Sequence, residues 1–170
     1  MKHDVFISYS RRDRSVVDEI CELLNENGIS FWRDVREIDP GSKFMGDIVD
    51  AIKGCKITLF ISSENSNQSP YTAKEVALAF NEGKHIIPYK IDHSSFSKNM
   101  ELLFSDINFT EAIPYSRQKA IELVADIKAL VSGTRISEQK IEERTYIDFT
   151  TWDEPQNKLL RYIKHLFSDK

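Results

Sequence analysis

Short apolar runs of strand length recur along the chain and are separated by polar turns and helical segments. The clearest run is Lys56–Ser62, which is β-branched and continuous, as expected of a strand covered on both faces. Pro88 lies inside another run and weakens that assignment, because proline cannot donate to a central ladder. The predicted strands are Val5–Ser8, Ile29–Trp32, Lys56–Ser62, Ile86–Ile91 and either Ile107–Phe109 or Glu111–Ile113.

Between these runs, apolar residues recur at the spacing of amphipathic helices. Asn27-Gly28 is a good C-cap for the first helix, and Ser69-Pro70 is a good N-terminus for a later one. The stretch Ser63–Ser69 is polar and is expected to be a loop. The helical periods run through Val16–Leu24, Phe44–Ile52, Pro70–Phe80, Phe96–Phe104 and Ile121–Leu130.

This alternation of strands and helices predicts an α/β fold in which helices cover both faces of a parallel sheet. We expect five strands in the order 2-1-3-4-5, the flavodoxin-like three-layer sandwich. Ligands of such folds bind at the carboxyl ends of the strands. The expected site is therefore built from the loops after the first three strands: Tyr9–Asp13, Arg33–Lys43 and Ser62–Ser69.

The chain changes character after the last of these helices. Ser132-Gly133-Thr134 breaks the helix, Ser137–Arg144 is charged, and helical periodicity resumes over Pro155–Phe167. We therefore predict one domain over residues 1–132 and, over 133–170, a helical appendage or the start of a further unit.

Composition removes several classes of function. The net charge of −4 argues against nucleic acid as a partner, because binding phosphates needs a surplus of Lys and Arg. The sequence has no signal-peptide-like start and no apolar stretch of membrane length, so we expect a cytoplasmic protein without a membrane partner. Scattered histidines and two cysteines of core type predict no metal site. Glycine-rich phosphate-binding motifs and the hydrolase nucleophile elbow are absent.

Two sets of charged residues have both an ordinary and a functional interpretation. Arg11, Arg12 and Arg14 form a basic cluster that is either a solvated loop or an anion contact. Glu75 is expected one turn into the helix after the third strand, with Tyr71 four positions earlier on the same face. This carboxylate either faces solvent, where the helix dipole favours it, or faces the crevice at the sheet edge.

Three short segments carry a resemblance to a known family. Asp4-Val-Phe-Ile-Ser-Tyr-Ser10 with Arg-Arg-Asp13 resembles its first signature box. Arg33-Asp34 through Asp39-Pro40-Gly41 resembles its BB loop, and Ser69-Pro70-Tyr71-Thr72-Ala73-Lys74-Glu75 resembles its S-x-W-C-x-x-E stretch. The family is the TIR (Toll/interleukin-1 receptor) domain of the bacterial NAD-cleaving type, and the resemblance runs from Asp4 to about Val131.

The resemblance implies that Glu75 is the catalytic residue of an NAD⁺ nucleosidase or ADP-ribosyl cyclase, with NAD⁺ as substrate and no cofactor or metal. Tyr71 stands where the family usually has tryptophan, which leaves a smaller ring for stacking. Cleavage of the nicotinamide–ribose bond builds positive charge on the ribose, which one carboxylate can stabilise. The implied substrate-binding residues are Ser8, Tyr9, Ser10, Arg11, Asp34, Gly41, Phe44 and Tyr71.

The resemblance also implies partners. TIR domains of this kind self-associate through TIR–TIR contacts and the BB loop (33–43), and their nucleotide product can act on a downstream effector. Bacterial antiphage or immune signalling is the expected setting. The alternatives are a non-catalytic adaptor or scaffold that acts through TIR–TIR contacts, and a host-mimicking bacterial effector.

Overall fold

The computed structural model describes residues 3–33, 42–105, 107 and 109–133, and the structural statements below concern these residues. A 3₁₀ helix over Arg11–Asp13 follows the first strand. The other elements are β1 (Val5–Ser8), α1 (Arg14–Glu26), β2 (Phe31–Arg33), α2 (Ser42–Gly54), β3 (Ile57–Ser62), α3 (Glu64–Asn67), α4 (Pro70–Asn81), β4 (His85–Lys90), α5 (Lys98–Leu103), β5 (Thr110–Glu111) and α6 (Arg117–Val131).

The five strands form one parallel sheet in the order β2-β1-β3-β4-β5, which confirms the predicted fold class. β1 and β3 are central, and Ser8 at the end of β1 lies opposite Phe60 of β3. Because all strands are parallel, their carboxyl ends meet at one edge of the sheet. The loops that follow β1 and β3 are therefore neighbours at that edge.

The two faces of the sheet carry two separate hydrophobic clusters. Val5 and Ile7 point to the face covered by α1 and α6, whereas Phe6 points to the face covered by α2, α4 and α5. Since side chains alternate along a strand, Ser8 belongs to the same face as Phe6. Val5–Ser8 is buried along its whole length, as expected of a central parallel strand.

Local differences from the sequence prediction have identifiable causes. Residues 64–67 form a short helix instead of a loop, because Ser63 and Ser66 form a reciprocal capping box. Ile29 does not begin β2: its N–H donates to the Leu24 carbonyl at 3.0 Å and completes the C-cap of α1, where Gly28 has a φ of 69°.

The end of the sheet also differs in detail. β5 comprises Thr110–Glu111, so it overlaps only the second of the two predicted positions. β4 includes the buried Pro88, and β5 pairs only with Tyr89 and Lys90. β4 is therefore an edge strand at Pro88, where a missing N–H is tolerated.

Both cysteines are buried in the two hydrophobic clusters, as predicted. Burial raises the pKa of the Cys21 thiol to about 11, and it also raises the pKa of Cys55. Within the described ranges, the structure groups no three His, Cys, Asp or Glu side chains as metal ligands. Among the helices described, none is long and apolar enough to cross a bilayer. The predicted boundary between 1–132 and 133–170 stays a prediction, because residues 134–170 lie outside the described residues.

Candidate active site

Two predicted site residues meet at the carboxyl edge of the sheet. The Ser8 hydroxyl donates to Glu75 Oε2 at 2.7 Å, joining positions that are 67 residues apart in sequence. Ser8 has no exposed surface, whereas Glu75 is half-buried. A carboxylate has about four lone-pair positions, so the bond from Ser8 uses one and leaves capacity for further donors.

The start of α4 determines where Glu75 lies. Ser69 is the N-cap and accepts from the Thr72 N–H at 3.4 Å, and Pro70 occupies the first helical position. The buried Thr72 hydroxyl donates to the Ser66 carbonyl at 2.8 Å, which ties the first turn of α4 to α3. Val76, next to Glu75, is fully buried in the cluster beneath the helix. These contacts fix both the position and the rotation of the helix that carries the carboxylate.

The segment after β1 is also ordered by local hydrogen bonds. Ser10 is the N-cap of the 3₁₀ helix, and its hydroxyl accepts from the Arg12 N–H at 3.4 Å. Asp13 is buried: its carboxylate accepts from the Ser63 hydroxyl at 2.5 Å and from the Asn65 amide at 2.8 Å. The first loop is thereby bonded to the segment that follows β3.

The family assignment follows from a match of the TIR domain model to residues 5–125, which is well over half of the chain. The chain is a TIR domain. The matched range contains the Ser8–Glu75 pair and all five strands of the sheet.

The chain is similar to a curated archaeal protein and to several solved structures. It is 26% identical over 143 residues to the "probable 2′ cyclic ADP-D-ribose synthase TcpO" of Methanobrevibacter olleyae, a match that covers 82% of this chain. The chain spans only 40% of that relative's length.

Solved structures support the fold alone, since their identities are low. The TIR domain of the Toll-related receptor TRR-2 from Hydra magnipapillata is 21% identical, with a TM-score of 0.60 over 75% of this chain and 99% of that one. The CMP N-glycosidase BcmB from Clostridium botulinum is 19% identical, with a TM-score of 0.54 over 72% of this chain and 98% of that one.

The other predicted site residues of this TIR domain differ in their burial and in the face of the sheet to which they belong. Tyr9 is half-buried and packs against the cluster under α1 and α6, on the face opposite Ser8. Arg11 is exposed at the start of the 3₁₀ helix, and Ser10 is half-buried beside it. Tyr71 is 54% exposed, one turn before Glu75 on α4. The structure thus brings Ser8 and Glu75 into contact and puts the Tyr9 ring elsewhere.

Three predicted residues belong to the BB-loop side of the TIR domain. Asp34 and Gly41 lie outside the described residues. Phe44 is in the first turn of α2, and its side chain is likewise outside the described part. Their proposed contacts with the substrate stay predictions.

Two features of the edge were not among the predicted site residues. Trp32 of β2 stacks on Phe6, with 5.2 Å between ring centroids and 9° between ring planes, on the same face as Ser8. Asp13 ends the segment that resembles the first signature box, and its pattern predicts no role in the site. An aspartate before a helix is usually interpreted as an N-cap, so no pattern in the sequence indicates its long-range bonds.

Proposed function

We propose that this TIR domain cleaves the nicotinamide–ribose bond of NAD⁺, as an NAD⁺ nucleosidase or ADP-ribosyl cyclase with Glu75 as its catalytic residue. The observation that carries the proposal is the Ser8–Glu75 hydrogen bond of 2.7 Å. It holds a half-buried carboxylate at the carboxyl edge of the sheet, where ligands of doubly wound folds bind. A carboxylate that served only to complement the dipole of α4 would have no need of a buried serine from β1.

The chemistry needs a fixed negative charge. Heterolysis of the glycosidic bond gives an oxocarbenium-like transition state, in which the ribose carries positive charge. Nicotinamide leaves NAD⁺ as a neutral molecule, so no general acid is required. A carboxylate already held in place stabilises that charge without the cost of reorganising at the moment of reaction. Glu75, restrained by Ser8, meets this requirement with one side chain.

The substrate assignment rests on the relative as well as on the site. The archaeal relative is named as a probable synthase of a cyclic ADP-ribose, a product of NAD⁺ cleavage. In our proposal NAD⁺ enters as substrate, and no cofactor or metal takes part. Water would capture the ADP-ribosyl group to give ADP-ribose, or an internal hydroxyl or nitrogen would capture it to give a cyclic form.

The proposal extends to assembly and setting. We propose self-association through TIR–TIR contacts that include the BB loop (33–43), and a nucleotide product that acts on a downstream effector in antiphage or immune signalling. Specific activity should then rise with protein concentration, because the neighbour's loop would complete the site. Activity proportional to protein concentration over the whole range would contradict the assembly part alone.

Glu75→Gln tests the catalytic assignment. The substitution keeps the shape and an oxygen that can accept from Ser8, but removes the charge, so nicotinamide release should fall by roughly 10²-fold or more. Chromatography of NAD⁺ incubated at high protein concentration measures both nicotinamide and the accompanying product. A parallel incubation with CMP, the compound in the name of the structurally similar N-glycosidase BcmB, tests whether the domain prefers another N-glycosidic bond.

A matched control is available on the same helix. Glu82 is the C-cap of α4, and its carboxylate is 3.7 Å from Lys53 Nζ at the far end of the helix. Glu82→Gln should leave nicotinamide release within about twofold, since exposed ion pairs contribute little. Undiminished turnover in Glu75→Gln would refute the assignment, and a wild-type protein without turnover that still self-associates would favour an adaptor.

A further inference from the structure

Asp13 occupies the N-cap position of α1 but does not act as a cap. Its side chain makes no hydrogen bond to the first turn of the helix. An N-cap aspartate ordinarily accepts from those backbone N–H groups and stabilises the helix by about 1 kcal/mol. Here the carboxylate is directed elsewhere, so the stability of α1 does not explain the residue.

The carboxylate of Asp13 instead bonds the segment that follows β3. Oδ2 accepts from the Ser63 hydroxyl at 2.5 Å and Oδ1 accepts from the Asn65 amide at 2.8 Å. Ser63 is itself fixed, because its hydroxyl also accepts from the Ser66 N–H at 3.1 Å within the capping box of α3. Asp13 is 8% exposed, so these bonds are largely shielded from water.

The bonds of Asp13 fix one end of residues 9–12, here called the substrate-binding wall because the family resemblance implies that Tyr9, Ser10 and Arg11 bind the substrate. The other end is fixed at Ser8, which is paired with β3 and bonded to Glu75. Between these two points lie only Tyr9 to Arg12. Within the segment, the Asp13 N–H donates to the Ser10 carbonyl at 2.8 Å. The wall is thus held at one end to β3 and at the other end to the segment that follows β3.

We propose that Asp13 is a positioning residue for NAD⁺ binding, acting through residues 9–12 and not through contact with the reacting atoms. This inference rests on the proposed function. A wall that binds the substrate equally in its ground and transition states affects KM more than kcat. Loss of the Asp13 bonds should therefore weaken substrate binding while the Ser8–Glu75 pair continues to support the chemical step.

Steady-state kinetics of Asp13→Ala, Ser63→Ala and the double variant test the proposal. Each single variant should raise KM for NAD⁺ about tenfold with kcat within about threefold. The double variant should be less impaired than the sum of the two single effects predicts, because the Asp13–Ser63 bond is lost in both. Asp13→Asn retains an oxygen for the Asn65 amide and should fall between wild type and Asp13→Ala.

Asp92→Ala is the matched control. Asp92 also bonds α3, accepting from the Glu64 N–H at 2.9 Å, and it accepts from the Ser94 N–H at 2.9 Å. It joins α3 to the segment after β4, however, and makes no described bond to residues 9–12. Its removal should cost a similar number of hydrogen bonds and leave KM within about twofold. An equal rise of KM in Asp92→Ala would overturn the proposal in favour of general loosening of α3.

Hydrogen exchange gives a second readout that does not depend on turnover. Ser63→Ala leaves the sequence of residues 9–14 unchanged, so the amide N–H groups of Asp13 and Arg14 can be compared directly with wild type. These donate to the Ser10 and Arg11 carbonyls and should lose protection, whereas the β1 amides should not. Unchanged protection at 13 and 14 overturns the positioning role. If wild type shows no turnover, the proposed function fails, and exchange alone decides whether Asp13 fixes the segment.

Discussion

The two ends of the central strands β1 and β3 each carry a polar cluster, and the Asp4 carboxylate at one end has different partners from the Asp13 carboxylate at the other. At the amino end, Asp4 accepts from the Ser30 hydroxyl at 2.6 Å and from Lys56 Nζ at 2.9 Å. At the carboxyl end, the described partners of Asp13 are a hydroxyl and an amide, both neutral. Glu75 likewise accepts from a serine hydroxyl.

The amino-end cluster connects the beginnings of three strands. Besides its side-chain bonds, Asp4 donates its N–H to the Ser30 carbonyl and accepts from the Ile57 N–H, both at 3.0 Å. Nearby, Lys84 Nζ donates to the Cys55 carbonyl at 3.0 Å, at the end of α2. The Lys56 ammonium offsets the charge of the Asp4 carboxylate, and Lys84 satisfies a neutral carbonyl, so these contacts are those expected of a cluster that contributes to stability.

At the carboxyl end, the bonds of Glu75 and Asp13 lie at the two ends of the predicted substrate-binding wall, residues 9–12. In the proposed reaction, the Glu75 carboxylate stabilises the positive charge of the oxocarbenium-like ribose. Under the proposed function, the amino end of this pair of strands serves stability and the carboxyl end serves turnover. Substitutions at one end should change turnover, and those at the other should change the free energy of unfolding.

Among substitutions at the carboxyl end, Ser8→Ala should give the largest loss of turnover after the loss of Glu75 itself. Without the hydroxyl, Glu75 loses the restraint on its rotamer, and kcat should fall by about 10–100-fold, as expected for a misplaced catalytic group. KM should change by less than about threefold. Nicotinamide release under saturating NAD⁺ measures the effect, and a normal kcat would show that Ser8 does not position the carboxylate.

Asp4→Ala should give the opposite pattern. Losing the bonds to Ser30 and Lys56 should lower the free energy of unfolding by about 1–2 kcal/mol, with kcat unchanged. The value is modest because the Lys56 side chain is 61% exposed and the ion pair is screened. Urea unfolding and NAD⁺ turnover on the same preparation measure both quantities. A tenfold loss of kcat without a loss of stability would break the separation between the two ends.

Lowering the pH should reduce the difference in the free energy of unfolding between wild type and Asp4→Ala. The hydrogen bond from Ser30, and then that from Lys56, hold the pKa of Asp4 below its ordinary value of 3.8. A lowered pKa in the folded state stabilises the protein above the unfolded pKa, and this contribution is lost as pH falls through the folded pKa. The two unfolding free energies should therefore differ most above about pH 4 and converge below it. A difference that is independent of pH would show that packing, and not charge, explains the effect of Asp4.

The strand order could be predicted because it depends on patterns that the sequence displays directly. Continuous apolar runs such as Lys56–Ser62 indicate central strands, and the alternation with helices then restricts the topology. The face that Ser8 belongs to also follows from alternation with Phe6. The partner of Ser8 does not, because side-chain contacts over 67 residues depend on how α4 is rotated on the sheet.

The short helix α3 and the role of Asp13 were beyond prediction for a related reason. Residues 63–69 all have polar side chains, which is typical of a loop. Their helical turn depends on the capping box and on Asp92, which comes from the segment after β4. Asp13 likewise has an ordinary local interpretation as a cap, and only tertiary structure shows that its bonds go to Ser63 and Asn65.

The burial of both cysteines makes the native chain a convenient background for site-specific labelling. A thiol whose pKa is raised to about 11, as at Cys21, is almost entirely protonated near neutrality and reacts slowly with maleimides. Cys55 is buried as well, and these two are the only cysteines in the sequence. A single cysteine introduced at the exposed position of Lys74 would therefore carry a fluorophore next to Glu75 on α4, without removing a predicted substrate-binding residue. Nucleotide binding could then be followed by emission, without first removing the natural thiols.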